Sequence, residues 1–158
     1  MAVPDDDPAV PIATPRVAAA AVIRDPSGRV LLVKPTYKAL WDLPGGYAEP
    51  GESPLAACRR EVLEELGVRM SVGRLLVIDW APLPEEGDKL LFLFDGGVLP
   101  DTSKLRLQPS ELAEAEMVDA DQLAQFLPGR LLRRALAALT SAPNSGLEYL
   151  EHGMAPPP

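Results

Sequence analysis

The sequence is poor in the side chains that build cross-links and Cys/His metal sites. It contains one cysteine, Cys58, and one histidine, His152, among 158 residues. One cysteine cannot close an internal disulfide, and the two residues are too few for a Cys/His cluster. We therefore expect Cys58 to pack as a small apolar side chain and His152 to be exposed to solvent. This cysteine usage fits a reducing cytoplasm, which is the location that we predict.

Long apolar runs and an excess of positive charge are also missing. The run from Val17 to Ile23 is too short to cross a membrane, and residues 1–15 lack the basic start and apolar core of a secretion signal. Acidic residues outnumber Lys and Arg by 23 to 15, so the formal net charge is −8. Such a surface disfavours broad binding to nucleic acid or to anionic membranes. Small phosphorylated ligands stay possible because a bound cation can reverse the local sign.

What the sequence does contain suits one domain with one hydrophobic core. We predict a flexible arm over residues 1–15, a folded domain over 16–140 and a loose tail over 141–158. Hydrophobic patterning predicts strands, the first two forming a hairpin, at Val17–Arg24, Arg29–Lys34, Val68–Ala81, Lys89–Val98 and Ala113–Val118. Capping and amphipathic patterns predict helices at Pro54–Leu66, Asp119–Leu127 and Arg130–Leu139.

The strongest chemical signal lies between Gly45 and Val68. Ser53 can cap a helix that has Pro54 in its first turn, and Gly67 can end that helix. At about 100° per residue, the apolar side chains of the helix share one broad face and its acidic residues share the opposite face. These acidic residues are Glu61, Glu64 and Glu65.

The three glutamates lie where a helix disfavours them. Like charges three or four residues apart repel, and Glu64 and Glu65 stand near the negative end of the helix dipole. Arg60 can pair with Glu64, but one cation cannot balance three carboxylates. A divalent cation with oxygen ligands would offset the repulsion, whereas a solvated acidic face would need no ligand. The cluster alone leaves both interpretations open.

The longer pattern resembles the signature of the Nudix hydrolases at every specified position. Gly46 is followed after five residues by Glu52, and after seven more by Arg60 and Glu61. The resemblance implies an α/β fold, an α/β/α sandwich with a mixed β-sheet, in which this segment forms a loop-helix-loop motif. It covers this box most strongly and fits the strand order over residues 16–127. The remaining specified positions are Val62, Glu64, Glu65, Gly67 and Val68.

The same resemblance implies a divalent-metal site. Glu61, Glu64 and Glu65 would bind Mg²⁺ or Mn²⁺ with help from the backbone carbonyl of Gly45. Hard carboxylate oxygens suit these cations, which keep several waters and bridge phosphates. The implied reaction is hydrolysis of a diphosphate linkage by a metal-activated water that attacks phosphorus.

Other residues would support the metal ligands and supply the general base. Arg60 would orient the carboxylates by ion pairing, and Gly46 would help to hold the loop before the helix. Proteins that resemble this one place the base either in the box, where Glu61 is our first choice, or on a distal loop. Outside the box, Glu111 and Glu114 are the main candidates. Weaker candidates are Glu85 and Glu86.

Substrate choice would depend on residues outside the metal site. Tyr37 and Lys38 lie in the loop before the box and can face a ligand together with Lys34, or the lysines can be ordinary surface residues. Gly46 is also predicted to contact the substrate. Trp80 ends a predicted strand and can either stack on a base or pack in the core. Trp41 is assigned to the core.

We therefore predict a Nudix pyrophosphohydrolase that needs Mg²⁺ or Mn²⁺ and acts on a nucleoside diphosphate derivative. The resemblance implies nucleoside triphosphates, ADP-ribose or nucleotide sugars as substrates. The alternatives are a non-hydrolytic nucleotide-binding or sensor module of the same fold and a prenyl diphosphate hydrolase. The expected partner is a small-molecule diphosphate, without stable nucleic acid or a membrane, and a homodimer is compatible with the family.

Overall fold

The computed structural model describes residues 11–141 and 146–158, so most of the predicted N-terminal arm lies outside the described residues. Within these ranges no helix combines the length and apolar character needed to cross a membrane. The α-helices are α1 (Pro54–Leu66) and α2 (Gly129–Thr140), and short 3₁₀ helices cover Thr102–Lys104 and Ala120–Gln125. The strands are β1 (Arg16–Arg24), β2 (Val30–Pro35), β3 (Gly45–Tyr47), β4 (Leu75–Trp80), β5 (Lys89–Val98), β6 (Leu112–Val118) and β7 (Glu148–Glu151).

The strands form one mixed sheet in the order β6-β2-β1-β5-β4-β7, with β3 also paired to β1. Along one side, β1 runs parallel to β5 over most of its length. Its other side is divided between two antiparallel partners. β2 pairs where Arg24 meets Val30, and β3 pairs with residues 18–20. The short strand β3 therefore fixes the start of the box directly to the centre of the sheet.

Alternate residues of β1 face opposite sides of the sheet, as the two-residue period of a strand requires. Ala19, Ala21 and Ile23 pack in the core cluster that contains α1. Ala20 and Val22 pack in the cluster that contains α2. The sheet thus has a helix layer on each face, which confirms the predicted α/β/α sandwich.

The first helix has the ends that the sequence predicts. The Ser53 hydroxyl accepts a hydrogen bond from the Ala56 N–H at 3.2 Å. Gly67 takes a left-handed conformation with φ of 67°, and its N–H donates to the Leu63 carbonyl. Apart from one glutamate, the buried residues of α1 are small or apolar, so this face packs on the sheet. Those small or apolar residues are Ala57, Cys58, Val62 and Leu66.

Two predicted elements differ from the structure. Only Leu75–Trp80 is a strand within the apolar segment Val68–Ala81. The helix predicted after Asp119 is a 3₁₀ helix over Ala120–Gln125, and the Asp119 side chain makes no capping bond. Without this cap, and with Pro128 close behind, the segment closes short turns in place of a full α-helix.

The prediction of a loose tail from residue 141 is wrong for residues 148–151. These residues form β7, which runs parallel to β4, and Leu150 is buried. The His152 N–H donates to the Trp80 carbonyl at 2.9 Å. The segment is short and polar, so its order comes from pairing with a distant strand and not from local sequence. Residues 142–145, which precede this segment, lie outside the described ranges.

A buried ion pair joins this C-terminal segment to both the sheet and α2. The Arg134 Nε atom lies 2.6 Å from Asp79 Oδ2, and the two side chains are 6% and 0% exposed. The other Asp79 oxygen accepts a hydrogen bond from the Gly153 N–H at 3.0 Å. Both oxygens of this fully buried carboxylate are therefore satisfied by residues far along the chain.

We expect Arg134→Met to lower the free energy of unfolding by about 3–5 kcal/mol, because it leaves the buried Asp79 charge unpaired. Urea unfolding at neutral pH measures this change. Arg133→Met is the matched control, since Arg133 is exposed and its loss should cost about 1 kcal/mol or less. The double variant Asp79→Leu with Arg134→Met removes both charges and should recover part of the loss. Equal losses for the two single arginine variants would contradict this account.

Candidate active site

The glycines of β3 allow the box glutamates to lie against the sheet. A Cβ atom on Gly46 would stand 2.5 Å from the carboxylate carbon of Glu61. A Cβ atom on Gly45 would overlap the backbone of Ala19 and Ala20 in β1. Only glycine therefore permits both the pairing of β3 with β1 and the observed place of the Glu61 side chain.

Three glutamates from two separate segments bring their carboxylates together. Glu61 and Glu65 lie one turn apart on α1, and Glu111 precedes β6. One oxygen from each lies within 4.8 Å of the others. We call these three residues the glutamate cluster.

The loop before β6 is attached to the end of α1 by backbone hydrogen bonds. The Arg106 N–H donates to the Leu66 carbonyl at 2.8 Å, and the Gln108 N–H donates to the Glu65 carbonyl at 3.0 Å. Carbonyls in the last turn of a helix have no partner within the helix, so the loop satisfies two of them. This attachment places Glu111 beside Glu65.

Glu65 is the most buried member of the glutamate cluster, with 7% of its surface exposed. One of its oxygens accepts a hydrogen bond from the Gly45 N–H at 3.0 Å. Burial, followed by the nearby charges of Glu61 and Glu111, raises the pKa of Glu65 to about 8. Burial also raises the pKa of Glu61. The cluster thus carries negative charge that the hydrogen bonds around it offset only in part.

Arg60 binds acidic residues before and along α1. Its guanidinium donates to both oxygens of Glu52 at 2.8 and 2.9 Å and to Glu61 at 2.9 Å. It also donates to Glu64 at 3.2 Å and to the Tyr47 carbonyl at 3.1 Å. Arg60 therefore forms the ion pairs on which its predicted orienting role depends, while the role itself stays a prediction.

The structure separates several other predicted site residues from the cluster. Glu64 is half exposed and pairs with Arg60; it lines the same cleft as the cluster but is not one of the three residues whose oxygens converge. Glu114 lies on β6, where its carboxylate is 3.6 Å from the Lys34 amine. Trp80 ends β4 and is not among the residues that line the clefts at the box. Trp41 packs edge-on against Phe126 at the core, as predicted.

Two adjoining clefts meet at the box. The first, of about 490 Å³, contains the glutamate cluster and Tyr37, and we call it the glutamate cleft. The second, of about 290 Å³, we call the side cleft; its lining includes Tyr37, Lys38 and Gly46. Both clefts share Gly45, Gly46, Tyr37 and Tyr47.

Sequence reasoning missed two residues of the side cleft, Tyr47 and Lys89. Lys89 begins β5, and its amine donates to the Tyr47 hydroxyl at 3.0 Å. Tyr47 directly follows the two glycines of β3, and this place in the sequence could have identified it as a site residue. Glu86, considered only as a weak candidate for the base, also lines this cleft.

A family model described as the NUDIX domain matches residues 14–139 of the chain. The chain belongs to the NUDIX family. This membership agrees with the fold, and the box occupies the place at the sheet that the resemblance implies.

Individual NUDIX relatives match shorter parts of the chain. A Bacillus subtilis (strain 168) protein, provisionally named 8-oxo-dGTP diphosphatase, is 37% identical over 71 residues, which are 45% of this chain and 48% of that protein. A rat (Rattus norvegicus) protein named diphosphoinositol polyphosphate phosphohydrolase 2 is 52% identical over 50 residues, 31% of this chain and 28% of that protein. The chain therefore spans less than half of the length of these curated relatives.

A solved structure extends the similarity over most of the fold. The NUDIX hydrolase from Nitrosomonas europaea is 28% identical and has a TM-score of 0.65. The match covers 79% of this chain and 88% of that one. The resemblance to NUDIX hydrolases thus includes the arrangement of helices and strands around the box.

The glutamate cluster of this NUDIX domain fits a divalent cation. Its members offer hard carboxylate oxygens close together, and such oxygens are the ligands that Mg²⁺ and Mn²⁺ prefer. A cation would also favour the ionised form of Glu65, whose pKa is raised first by burial and then by the charges of Glu61 and Glu111. The donor set and its electrostatics therefore agree with the metal use that is general in this family.

We expect Glu111→Gln to weaken Mn²⁺ binding about tenfold or more, since replacing even a residue that only supports a metal ligand lowers metal affinity about 10–100-fold. Titration followed by electron paramagnetic resonance of free Mn²⁺ measures this affinity. Glu114→Gln makes the same chemical change outside the cluster and should leave the affinity unchanged. Equal effects of the two variants would show that Glu111 is not a ligand.

Proposed function

We propose that the protein hydrolyses a diphosphate linkage in a nucleoside diphosphate derivative with the help of Mg²⁺ or Mn²⁺. The substrate is a nucleoside triphosphate, ADP-ribose or a nucleotide sugar. The observation that carries the proposal is the convergence of Glu61, Glu65 and Glu111 beside the box of a NUDIX domain. The names of the two curated relatives, a diphosphatase and a phosphohydrolase, support cleavage at phosphorus.

The members of the glutamate cluster would hold the cation from α1 and from the loop before β6. Bound there, the cation would neutralise phosphate oxygens, lower the pKa of the attacking water and stabilise the departing phosphate. The protein limits the freedom of two of these carboxylates. Arg60 holds Glu61, and the Gly45 N–H holds Glu65. Such fixed positions reduce the reorganisation needed in the transition state.

We assign the general base to Glu111 in place of Glu61, the first choice from sequence. Glu61 already accepts a hydrogen bond from Arg60, and Glu65 accepts one from Gly45. Within residues 11–141 and 146–158, no hydrogen-bond donor or cation contacts the Glu111 carboxylate. A base needs an oxygen that is free to take the proton from the attacking water, and the Glu111 oxygen that does not hold the cation would meet this need. The backbone bonds between α1 and the loop before β6 support this role, because they hold Glu111 near the other carboxylates.

Purified protein with Mg²⁺ should cleave at least one member of a panel of dNTPs, ADP-ribose, nucleotide sugars and prenyl diphosphates. Chromatography of the products measures cleavage and identifies the bond that breaks. We expect Glu65→Gln and chelation by EDTA to abolish turnover, because both remove metal binding. Absence of turnover for every member of the panel would refute the proposed activity, and cleavage of prenyl diphosphates alone would refute the nucleoside assignment.

At saturating Mn²⁺, Glu111→Gln should lower kcat about 100-fold or more, which is the usual contribution of a general base. Saturation separates this effect from weaker metal binding. Glu114→Gln should keep the full kcat. If saturating metal restores kcat in Glu111→Gln, then Glu111 acts only as a ligand and Glu61 becomes the stronger candidate.

A further inference from the structure

The side cleft adjoins the glutamate cleft and is large enough to bind one compact chemical group. Its volume of about 290 Å³ lies at the small end of ligand pockets. Ala18, Ala20 and Leu43, which line it, are small or apolar and buried. A group attached to a diphosphate at the glutamate cluster can enter this cleft, because Gly45 and Gly46 border both spaces.

A hydrogen-bonded trio lines part of the side cleft. The Tyr47 hydroxyl donates to Glu86 Oε2 at 2.9 Å, and the Lys89 amine lies 3.3 Å from the same oxygen. The amine also donates to the Tyr47 hydroxyl at 3.0 Å. Among the residues that the structure describes, none donates a hydrogen bond to Glu86 Oε1. The trio therefore offers a ligand an acceptor oxygen beside an amine donor.

The charges that line the side cleft cancel in pairs. Lys89 pairs with Glu86, and Lys38 pairs with Asp42 at 2.6 Å. The lining thus holds two amines and two carboxylates, and within the described ranges it offers no cation without an acidic partner. A polyphosphorylated group would bring several negative charges into a lining with no net positive charge. Such a group would be rejected, whereas an uncharged polar ring would not.

Aromatic surface is available beside the trio. Tyr37 is 78% exposed, so most of its ring has no packing partner, and it lines both clefts. Tyr47 also lines both clefts, and the Lys89 amine lies 5.0 Å from the centre of its ring. Flat bases stack on such rings regardless of base identity, while hydrogen bonds at the ring edge decide which base is preferred.

We propose that the side cleft binds an uncharged nucleobase and that Glu86, held by Lys89 and Tyr47, determines which base is accepted. Glu86 accepts from an amino or ring N–H group, and Lys89 donates to a carbonyl oxygen or a ring nitrogen of the base. The same pairing of charges excludes polyphosphorylated groups such as inositol polyphosphates. The inference rests on the proposed function, since it concerns the part of the substrate that is attached to the diphosphate.

Binding measurements test the cleft without any requirement for turnover. Isothermal titration calorimetry with AMP, GMP, CMP and UMP compares the bases, and ribose 5-phosphate shows what the sugar phosphate alone contributes. Inositol hexakisphosphate serves as the polyanionic probe. We expect at least one nucleotide to bind more tightly than ribose 5-phosphate, and the polyanion to bind more weakly than that nucleotide.

Glu86→Gln should weaken binding of the preferred nucleotide about tenfold or more, since hydrogen bonds to charged groups are among the stronger ones. Binding of ribose 5-phosphate should not change. The polyanion should bind more tightly than before, because Lys89 loses its acidic partner. A variant with a merely disturbed fold would weaken all three ligands. Glu85→Gln removes the same charge one residue away, outside the cleft, and should leave every affinity unchanged.

Equal nucleotide affinities for Glu86→Gln and Glu85→Gln would overturn the inference. So would wild-type protein that prefers the polyanion, or that binds ribose 5-phosphate as tightly as every nucleotide. A different outcome would refute the proposed hydrolysis alone. Base-dependent binding that Glu86→Gln abolishes, without cleavage of any diphosphate, would support the inference and refute the activity.

Discussion

The site depends on one unfavourable contact, the approach of three carboxylates within a partly buried space. Repulsion alone would drive Glu61, Glu65 and Glu111 apart, and burial would favour their protonated forms. The surrounding structure prevents this separation. Gly45 donates to Glu65, Arg60 binds Glu61, and the loop that carries Glu111 is fastened to the last turn of α1. The fold thus holds in advance the arrangement that the proposed cation would need, at a cost in local electrostatic stability.

The first residues of the box form β3, which explains why β1 has two antiparallel partners along one side. β3 pairs with residues 18–20 of β1, so the sheet itself carries Gly45 and Gly46 to the carboxylates. The approach is so close that a Cβ atom on Gly45 would overlap the Ala19 carbonyl oxygen and the Ala20 side chain. Backbone pairing and carboxylate geometry are therefore two consequences of the same close approach.

The parts of the structure that local sequence predicts are those that local interactions decide. The Ser53 cap, the Gly67 end and the apolar face of α1 follow from neighbouring residues, and the box pattern indicates the metal chemistry. Three features depend on contacts between distant segments, namely the choice of Glu111 over Glu114, the pairing of Glu86 with Tyr47, and strand β7. Nothing in the residues near Glu111 shows that its loop will bond to the end of α1. The prediction of a loose tail failed for the same reason, because β7 is ordered through its pairing with the distant strand β4.

The two partners of Asp79 have a consequence for folding during synthesis. Asp79 lies in the middle of the chain, but its oxygens are satisfied by Arg134 and by the backbone of Gly153. When only the box and the central strands have emerged from the ribosome, the Asp79 carboxylate still lacks both of the partners that it has in the folded core. The domain can close fully around β4 only after residue 153 has left the ribosome. Until then the edge of β4 stays open to pairing with other chains, as unpaired strand edges are in a partly folded protein.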